Sequence, residues 1–300
     1  MNKYLKILRN KLRYKYCDTF PELVTKSIYK ERMRKTLNLD FPQTFNEKLQ
    51  YLKLNLYKNN PLVTKCADKY AAREYVKDCG CEEILNEIHQ VWDQPDDINF
   101  SELPNKFVLK CNHGAGYNII CRDKDKISPD NIRQTLTTWL NEDYWRLAVE
   151  FVYKDISKKI ICEKFIETKN NELPYDYKLF CFHGEPLFVM ICTERESQHP
   201  KFYFVNKEWE LLPYGIDYKN SEVSTVLDKP QNYQKLFEYA EKLSKPFPFV
   251  RVDLYLNSGV IHFGELTFIP SAGMDKELNN EETKNVDLIF GNYLKLRVTP

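Results

Sequence analysis

The chain has 300 residues, 43% hydrophobic and 14% aromatic, enough to bury a sizeable core in one large or two small domains. A formal charge of +1 leaves no global field that would draw in nucleic acid, so an acidic partner has to be met by a local patch. No run approaches the ~18–20 apolar residues of a membrane span, the N-terminus lacks the apolar stretch of a secretory leader, and nine cysteines without a Cys-x-x-Cys pair read as the thiols of a reduced, cytosolic protein.

Leu5, Leu8, Leu12 and Tyr16 recur at helical spacing among Lys3, Lys6, Arg9, Lys11, Arg13 and Lys15. This basic amphipathic helix either packs on the domain or lies peripherally on an anionic membrane surface. Residues 22–38 read as a second basic helix, and Thr44 with Glu47 forms a capping box opening a third that turns Leu49, Leu52 and Leu56 inward. Asn59-Asn60-Pro61 ends it and marks a boundary. The expected division is a helical, basic region over 1–60 and a core over 61–300. Within that core, 61–105 is a leading segment, 106–165 a flap subdomain and 166–300 a C-terminal subdomain.

Asp68-Lys69 stands at a helix start, where a carboxylate is welcome. Residues 84–105 hold a short strand and an irregular connection. Phe107 to Cys111 is an apolar strand interrupted by Lys110, and Asn112-His113-Gly114-Ala115-Gly116 leads into a second strand, Asn118 to Cys121. A lysine among apolar neighbours needs an anion. With Gly114 and Gly116 freeing main-chain N–H groups, the layout is either a phosphate-covering flap or a plain hairpin. His113 is a phosphate or amine contact, or a turn histidine bonded to main chain. Asp123-Lys124-Asp125 is an Asp-x-Asp of the kind that holds Mn2+ in nucleotide-sugar glycosyltransferases, or a solvated turn, the reading favoured here.

Ser128-Pro129 starts a helix, and Lys158 to Ile166 reads as a strand carrying Glu163 and Lys164. A hairpin from Tyr175 turns at His183-Gly184-Glu185-Pro186; its alternation aims Asp176, Lys178 and Phe180 one way, with Lys178 on phosphate and Asp176 orienting it. Continued through Glu196, the return strand turns Arg195 towards an acidic substrate. Phe202 to Val205 is another strand, Asp228-Lys229-Pro230 opens a helix through Leu243, and a last helix is expected from Asn280 to Leu296.

Between those helices lies the most legible stretch, residues 249–274, two antiparallel strands turning at Asn257-Ser258-Gly259. Alternation puts Arg251, Asp253 and Tyr255 on one face of the first strand, and Glu265 and Thr267 on one face of the second. If the strands pair through the turn, a cation, two carboxylates and a hydroxyl converge. Paired carboxylates need a counter-charge. An oxygen-only set suits Mg2+, which completes its shell with water and nucleotide phosphates; the alternative is a solvated face on which Arg251 balances Asp253.

Taken in order, Asp68-Lys69, Lys110 with its turn, Glu163-Lys164-Phe165-Ile166, Asp176-x-Lys178, Arg251-x-Asp253 and Glu265-x-Thr267 resemble the ATP-grasp ligases, D-alanine–D-alanine ligases included. The strings around Pro42 to Leu49, Ala67 to Val76, Leu103 to Gly114 and Val250 to Tyr255 resemble the teichuronopeptide-biosynthesis-type ATP-grasp family of bacterial surface-polysaccharide loci. The resemblance implies an α+β ATP-grasp fold, two α+β subdomains sandwiching ATP, with an N-terminal helical extension. It also implies ATP with two Mg2+ ions held by Asp253, Glu265 and Thr267, where the superfamily usually has Asn at the last position. Lys69, Lys110 and Lys178 then meet phosphates, Glu163 to Ile166 form the adenine hinge, and Glu167 meets ribose. Arg251 and the N–H groups around Ser271-Ala272-Gly273 stabilise an oxyanion. The implied activity is amide formation through an acyl phosphate, from a glycan or small-molecule carboxylate and an amine. The rivals are a nucleotide-sugar glycosyltransferase and an ATP-binding pseudoenzyme.

Overall fold

The computed structural model describes residues 3–168, 172–215, 217, 228–279 and 285–296. Two antiparallel sheets organise it. The smaller joins β1 (Ile88–Trp92), β2 (Phe107–Cys111), β3 (Asn118–Cys121) and β4 (Ile160–Lys164) in the order β1-β4-β2-β3. The larger joins β5 (Asp176–Phe182), β6 (Glu185–Thr193), β7 (Lys201–Asn206), β8 (Leu211–Leu212), β9 (Phe249–Asn257) and β10 (Val260–Thr267) in the order β10-β9-β5-β6-β7-β8. The described helices are α1 (Lys3–Tyr16), α2 (Pro21–Met33), α3 (Phe45–Tyr51), α4 (Pro61–Ala67), α5 (Ala72–Asp78), α6 (Pro129–Asn141), α7 (Trp145–Ala148), α8 (Tyr233–Ser244) and α9 (Val286–Tyr293).

Each sheet buries one apolar layer. In the small one Phe107, Leu109, Ile160 and Cys162 pack with Ile132 and Leu136 of α6. In the large one Leu179, Val189, Val252 and Leu254 share a core with Leu236, Ala240 and Leu243 of α8. Because strand residues alternate between faces, the intervening Asp176, Lys178, Arg251 and Asp253 are left on the opposite side, facing the cleft.

That large core crosses the boundary expected at residue 60. Phe45, Leu49 and Leu52 are at most 2% exposed within it, and the Phe45 ring meets Phe249 edge-on at 4.9 Å. The N-terminal residues with a cluster of their own are those of α1 and α2, where Cys17, Val24, Ile28 and Met33 pack on Trp145, Val149 and Phe151. The small sheet also begins earlier than residue 106, since β1 pairs with β4.

Several ends shift for local reasons. α2 stops at Met33 because Arg34 takes a left-handed φ of 59°. After the expected capping box, α3 passes into a π-helical turn over Leu52–Leu56; the wider turn leaves Leu56 47% exposed and buries Tyr57 in its place. Glu194, at φ 50°, ends β6 before Arg195. The helix expected from Asp228 starts at Tyr233; that expected from Asn280 runs Val286–Tyr293, its first residues lying outside the described ones. All nine cysteines are free thiols, eight of them buried.

The π turn also drives Lys53 inward. Its Nζ donates to the Ala148 carbonyl at 2.8 Å. Burial pulls its pKa down and pushes the buried Glu150 carboxyl up, each shift opposed by the other's charge. Removing one member of such a pair strands the other. Lys53→Met should therefore lower the unfolding free energy by about 3–5 kcal/mol, and Lys53→Met with Glu150→Leu should recover most of that loss in a urea titration. Equal losses in the single and double variants would show that packing, not charge, is what the pair contributes.

Candidate active site

The hairpin β9–β10 is the frame of the site. Its turn residues Ser258 and Gly259 have φ of 51° and 81°, the two positive angles of the tight turn that matches strand twist. A strict register through that turn would set Glu265 and Thr267 on the face opposite Asp253 and Arg251. A bulge between Phe263 and Glu265 prevents this: beyond it Glu265 pairs with Asp253 and Thr267 with Arg251. Gly264 supplies the extra residue, and a Cβ there would lie 2.9 Å from the Asp253 carbonyl oxygen.

Across the sheet Lys178 pairs with Asp253, so β5 adds its charges to the same patch. Arg251 grips Asp253 with two bonds, Nε to Oδ1 and Nη2 to Oδ2, both 2.7 Å. Lys178 Nζ donates to Asp253 Oδ2 at 2.9 Å and also to Asp176. Thr267 Oγ1 donates to Glu265 Oε1 at 3.2 Å and accepts from Arg251 Nη2 at 3.3 Å. Lys69 arrives from the α4–α5 junction, its ammonium 3.2 Å from Glu265 Oε2 and bonded to the Gly114 carbonyl. It thereby ties the small sheet's turn to the large sheet's edge.

Burial opposes the charges of Lys178, Arg251, Glu265 and Asp253; partners reverse the effect for the first three, while the Asp253 carboxyl stays above its usual range. Lys178 and Arg251 are raised by their carboxylates, and Glu265 is pulled down to about 2 by Lys69, Lys178 and Arg251. Lys110 donates to Glu163 Oε2 at 2.6 Å, and Glu163, Tyr255 and Glu265 together raise its pKa against burial. Two of those three partners belong to the other sheet, so the two sheets share one electrostatic field.

The small sheet and the β9–β10 hairpin enclose a narrow slot of about 80 Å3, lined by Val108, Ile120, Phe165, Ile166 and Phe263 with Lys110 and Glu163 at its polar end. Glu163 faces it. Lys164, the next residue on β4, turns away to Glu87 at 3.1 Å, and its main-chain N–H and C=O are taken by Glu87 and Asn86. Glu167 does not reach the slot. It pairs with Lys106 at 2.9 Å and lines a separate cavity of about 640 Å3 beyond Phe165 and Ile166, where Asn257 bonds the Glu167 carbonyl. Arg195 does not point outward either, but lies on the wall of the slot, 3.8 Å from Asp176 Oδ2. The turn at Glu194 folds it back, with its guanidinium 5.2 Å above the Tyr255 ring and bonded to the Pro174 carbonyl at 2.9 Å.

His113 is the turn histidine bonded to main chain: it is 2% exposed, with Nε2 3.0 Å from the Trp139 carbonyl. Gly114 is required by packing, since a Cβ would meet the Tyr144 ring at 2.7 Å, while Gly116, at φ 78°, has open space around it. Asp123 caps its own turn and pairs with Lys126 at 2.9 Å, so the Asp-x-Asp is a solvated loop.

Sequence reasoning missed the groups that brace the site. Asn112, fully buried, donates to Asp68 Oδ1 at 2.8 Å and to the Ser157 carbonyl at 2.9 Å, and it accepts from the Lys159 N–H at 2.7 Å. Asp68 in turn caps the chain at Tyr70 and Ala71, which aims Lys69. Gln50 Nε2 holds the carbonyls of Ala272 and Gly273 at 2.9 and 2.7 Å, fixing Ser271 and Ala272 in left-handed conformations beside Arg251. A polar residue inside an apolar run was the available signal for Asn112; nothing local marks Gln50.

Among the described residues no three His, Cys, Asp or Glu side chains stand together as a self-sufficient metal cage. The carboxylates of Asp253 and Glu265 with the Thr267 hydroxyl are hard oxygen donors, and the buried Asp176 Oδ1 has no hydrogen-bond partner. Such a partial set fits Mg2+ that draws the rest of its shell from phosphate and water.

No curated protein sequence matches the chain. Among solved structures it is similar to a D-alanine–D-alanine ligase from Bacillus anthracis complexed with ATP, at 14% identity over 85% of this chain and 71% of that one, TM-score 0.45. It is also similar to an L-amino acid ligase from Bacillus licheniformis, at 15% identity over 85% of this chain and 56% of that one, TM-score 0.45. A third is the macrocyclase MdnC bound with precursor peptide MdnA from Microcystis aeruginosa MRC, at 9% identity over 78% and 63%, TM-score 0.43. The chain thus spans less than two thirds of the latter two. The TupA-like ATPgrasp family matches residues 47–295, most of the chain, and the protein belongs to that family.

Proposed function

We propose that the protein is an ATP-dependent ligase that joins a carboxylate to an amine through an acyl phosphate, with the carboxylate carried by a bacterial surface polysaccharide or its precursor. The observation that supports this most is the convergence of Lys69, Lys178 and Arg251, from distant parts of the chain, on Asp253 and Glu265, with the Lys110–Glu163 pair beside them on the small sheet.

ATP enters with its base in the apolar slot beside Phe165 and Ile166. Its phosphates take over the cations that the carboxylates now hold. Lys69, Lys110 and Lys178 neutralise charge as a substrate carboxylate oxygen attacks the terminal phosphorus and ADP leaves. Two Mg2+ ions on Asp253, Glu265 and Thr267 would supply Lewis-acid stabilisation of phosphate charge. The amine then attacks the acyl carbon, the C–O bond to phosphate breaks with its electron pair, and the proton passes to solvent.

Arg251 has one nitrogen, Nη1, with no hydrogen-bond partner among the described residues, and it is the donor available to the oxyanion. Arg251 and Lys178 also line a cavity of about 320 Å3 floored by Phe202 and Phe204 and bordered by Asp275 and Glu277. An aromatic floor with an acidic border suits an ammonium group.

Among the described residues no helix is long and apolar enough to cross a membrane. Mg-ATP at about a hundred times its Kd should stabilise the protein by roughly 2.7 kcal/mol in thermal melts, and nucleotide sugars should not; the reverse pattern would favour a glycosyltransferase.

Lys110→Ala and Glu265→Gln should each cut ADP release by roughly 100-fold or more while the circular dichroism spectrum is unchanged. Full turnover in either variant would remove these residues from the chemistry. Tight ATP binding with no ADP release for any carboxylate and amine pair would leave a pseudoenzyme.

A further inference from the structure

A second cavity, of about 600 Å3, opens where α1 and α2 meet α7 and the segment around Lys276. Arg13, Arg32, Arg34, Arg146 and Lys276 line it, against one carboxylate, Glu31. Glu31 is already engaged by Arg9 and Arg13. Arg146 is partly balanced by Asp143 at 3.2 Å. The side chains of Arg34 and Lys276 are exposed and make no hydrogen bond or ion pair among the described residues, and Arg32, also exposed, acts only at long range on the buried Lys53 and Glu150. In a chain of formal charge +1 this is a local concentration of cations.

Its position connects it to the chemistry. Lys276 lines this cleft, while its neighbours Asp275 and Glu277 line the cavity that Arg251 and Lys178 enter, so one segment is a wall of both. A chain bound with one carboxylate at Arg251 would cross that wall and lie along the cations. Tyr14, 40% exposed, lines the same cleft; the Arg146 guanidinium lies over its ring at 5.5 Å, and the exposed remainder of the ring is apolar surface against which a pyranose can pack.

We propose that this basic cleft is the subsite for an acidic oligosaccharide, holding the uronate residues that flank the one being activated. The assignment rests on the ligase reading for its direction but not for its occupancy. It makes the enzyme selective for carboxylates borne on a polyanionic glycan over free sugar acids, because several cations act together only on a ligand with repeated charges.

The test is calorimetric titration of the full chain with an oligogalacturonate, with galacturonic acid monomer, with a neutral maltooligosaccharide and with oligoglutamate, each at low and at high NaCl. The oligogalacturonate should bind, more weakly as salt rises, and the monomer and neutral sugar should not. Arg34→Ala with Lys276→Ala should weaken it roughly tenfold, with Tm and Mg-ATP affinity unchanged. Undiminished binding in that variant, equal binding of the neutral sugar, or no binding by a chain that takes up Mg-ATP would overturn the subsite. Tighter binding of oligoglutamate would overturn the glycan in favour of a peptide. Oligogalacturonate binding lost in the variant, in a protein that does not take up Mg-ATP, would keep the subsite and remove the ligase.

Discussion

The structure depends on keeping Asp176, Asp253 and Glu265 as carboxylates on one buried sheet face. Left alone, carboxylates so close together repel one another. Lys178 and Arg251 on the same strands, with Lys69 from a distant loop, offset them, so that most of the charged atoms are paired before any ligand arrives, Asp176 Oδ1 and Arg251 Nη1 excepted. A nucleotide with its metal offers phosphate oxygens to the cations and a cation to the carboxylates, so the site can exchange partners without exposing an uncompensated charge.

Local features outside the patch make that arrangement possible. The bulge at Gly264 turns Glu265 to the same side as Asp253, and Asn112 fixes the junction from which Lys69 reaches across. Behind the sheet, α8 seals the apolar face, so the charged face is the one left to the cleft. The small sheet contributes Lys110 and Glu163 from its own edge of the slot, joined to the rest through Lys69 and the Gly114 carbonyl.

Much of this was legible in the sequence, and the failures have physical causes. β2 and β3 fall on the expected residues because an apolar strand, a glycine turn and a second strand are all local signals. The β9–β10 turn was legible for the same reason. The convergence of Asp253 with Glu265 was expected from alternation alone, yet a regular hairpin would have separated them; the lone Gly264 inside a strand was the unused sign of a bulge. Glu167 was misplaced, and Arg195 reaches the slot wall by a turn rather than along a continued strand, because each is held by a contact far away in sequence, Asn257 in one case and Tyr255 in the other. The boundary at residue 60 failed because Pro61 ends a helix without ending a core: Phe45 and Leu49 pack against strands two hundred residues later. Lys53 shows the same limit, since the π turn that buries it depends on tertiary packing.

The proposed ligase needs one nucleotide to span both sheets and to draw its phosphate contacts from Lys69, Lys110 and Lys178. A crystal structure with Mg2+ and a non-hydrolysable ATP analogue tests it most directly. The base should lie in the slot beside Phe165, the terminal phosphate within hydrogen-bond reach of those lysines, and metal density on Asp253 and Glu265. A nucleotide bound in the cavity lined by Glu167, with Arg251 and Lys178 still closed on Asp253, would contradict it.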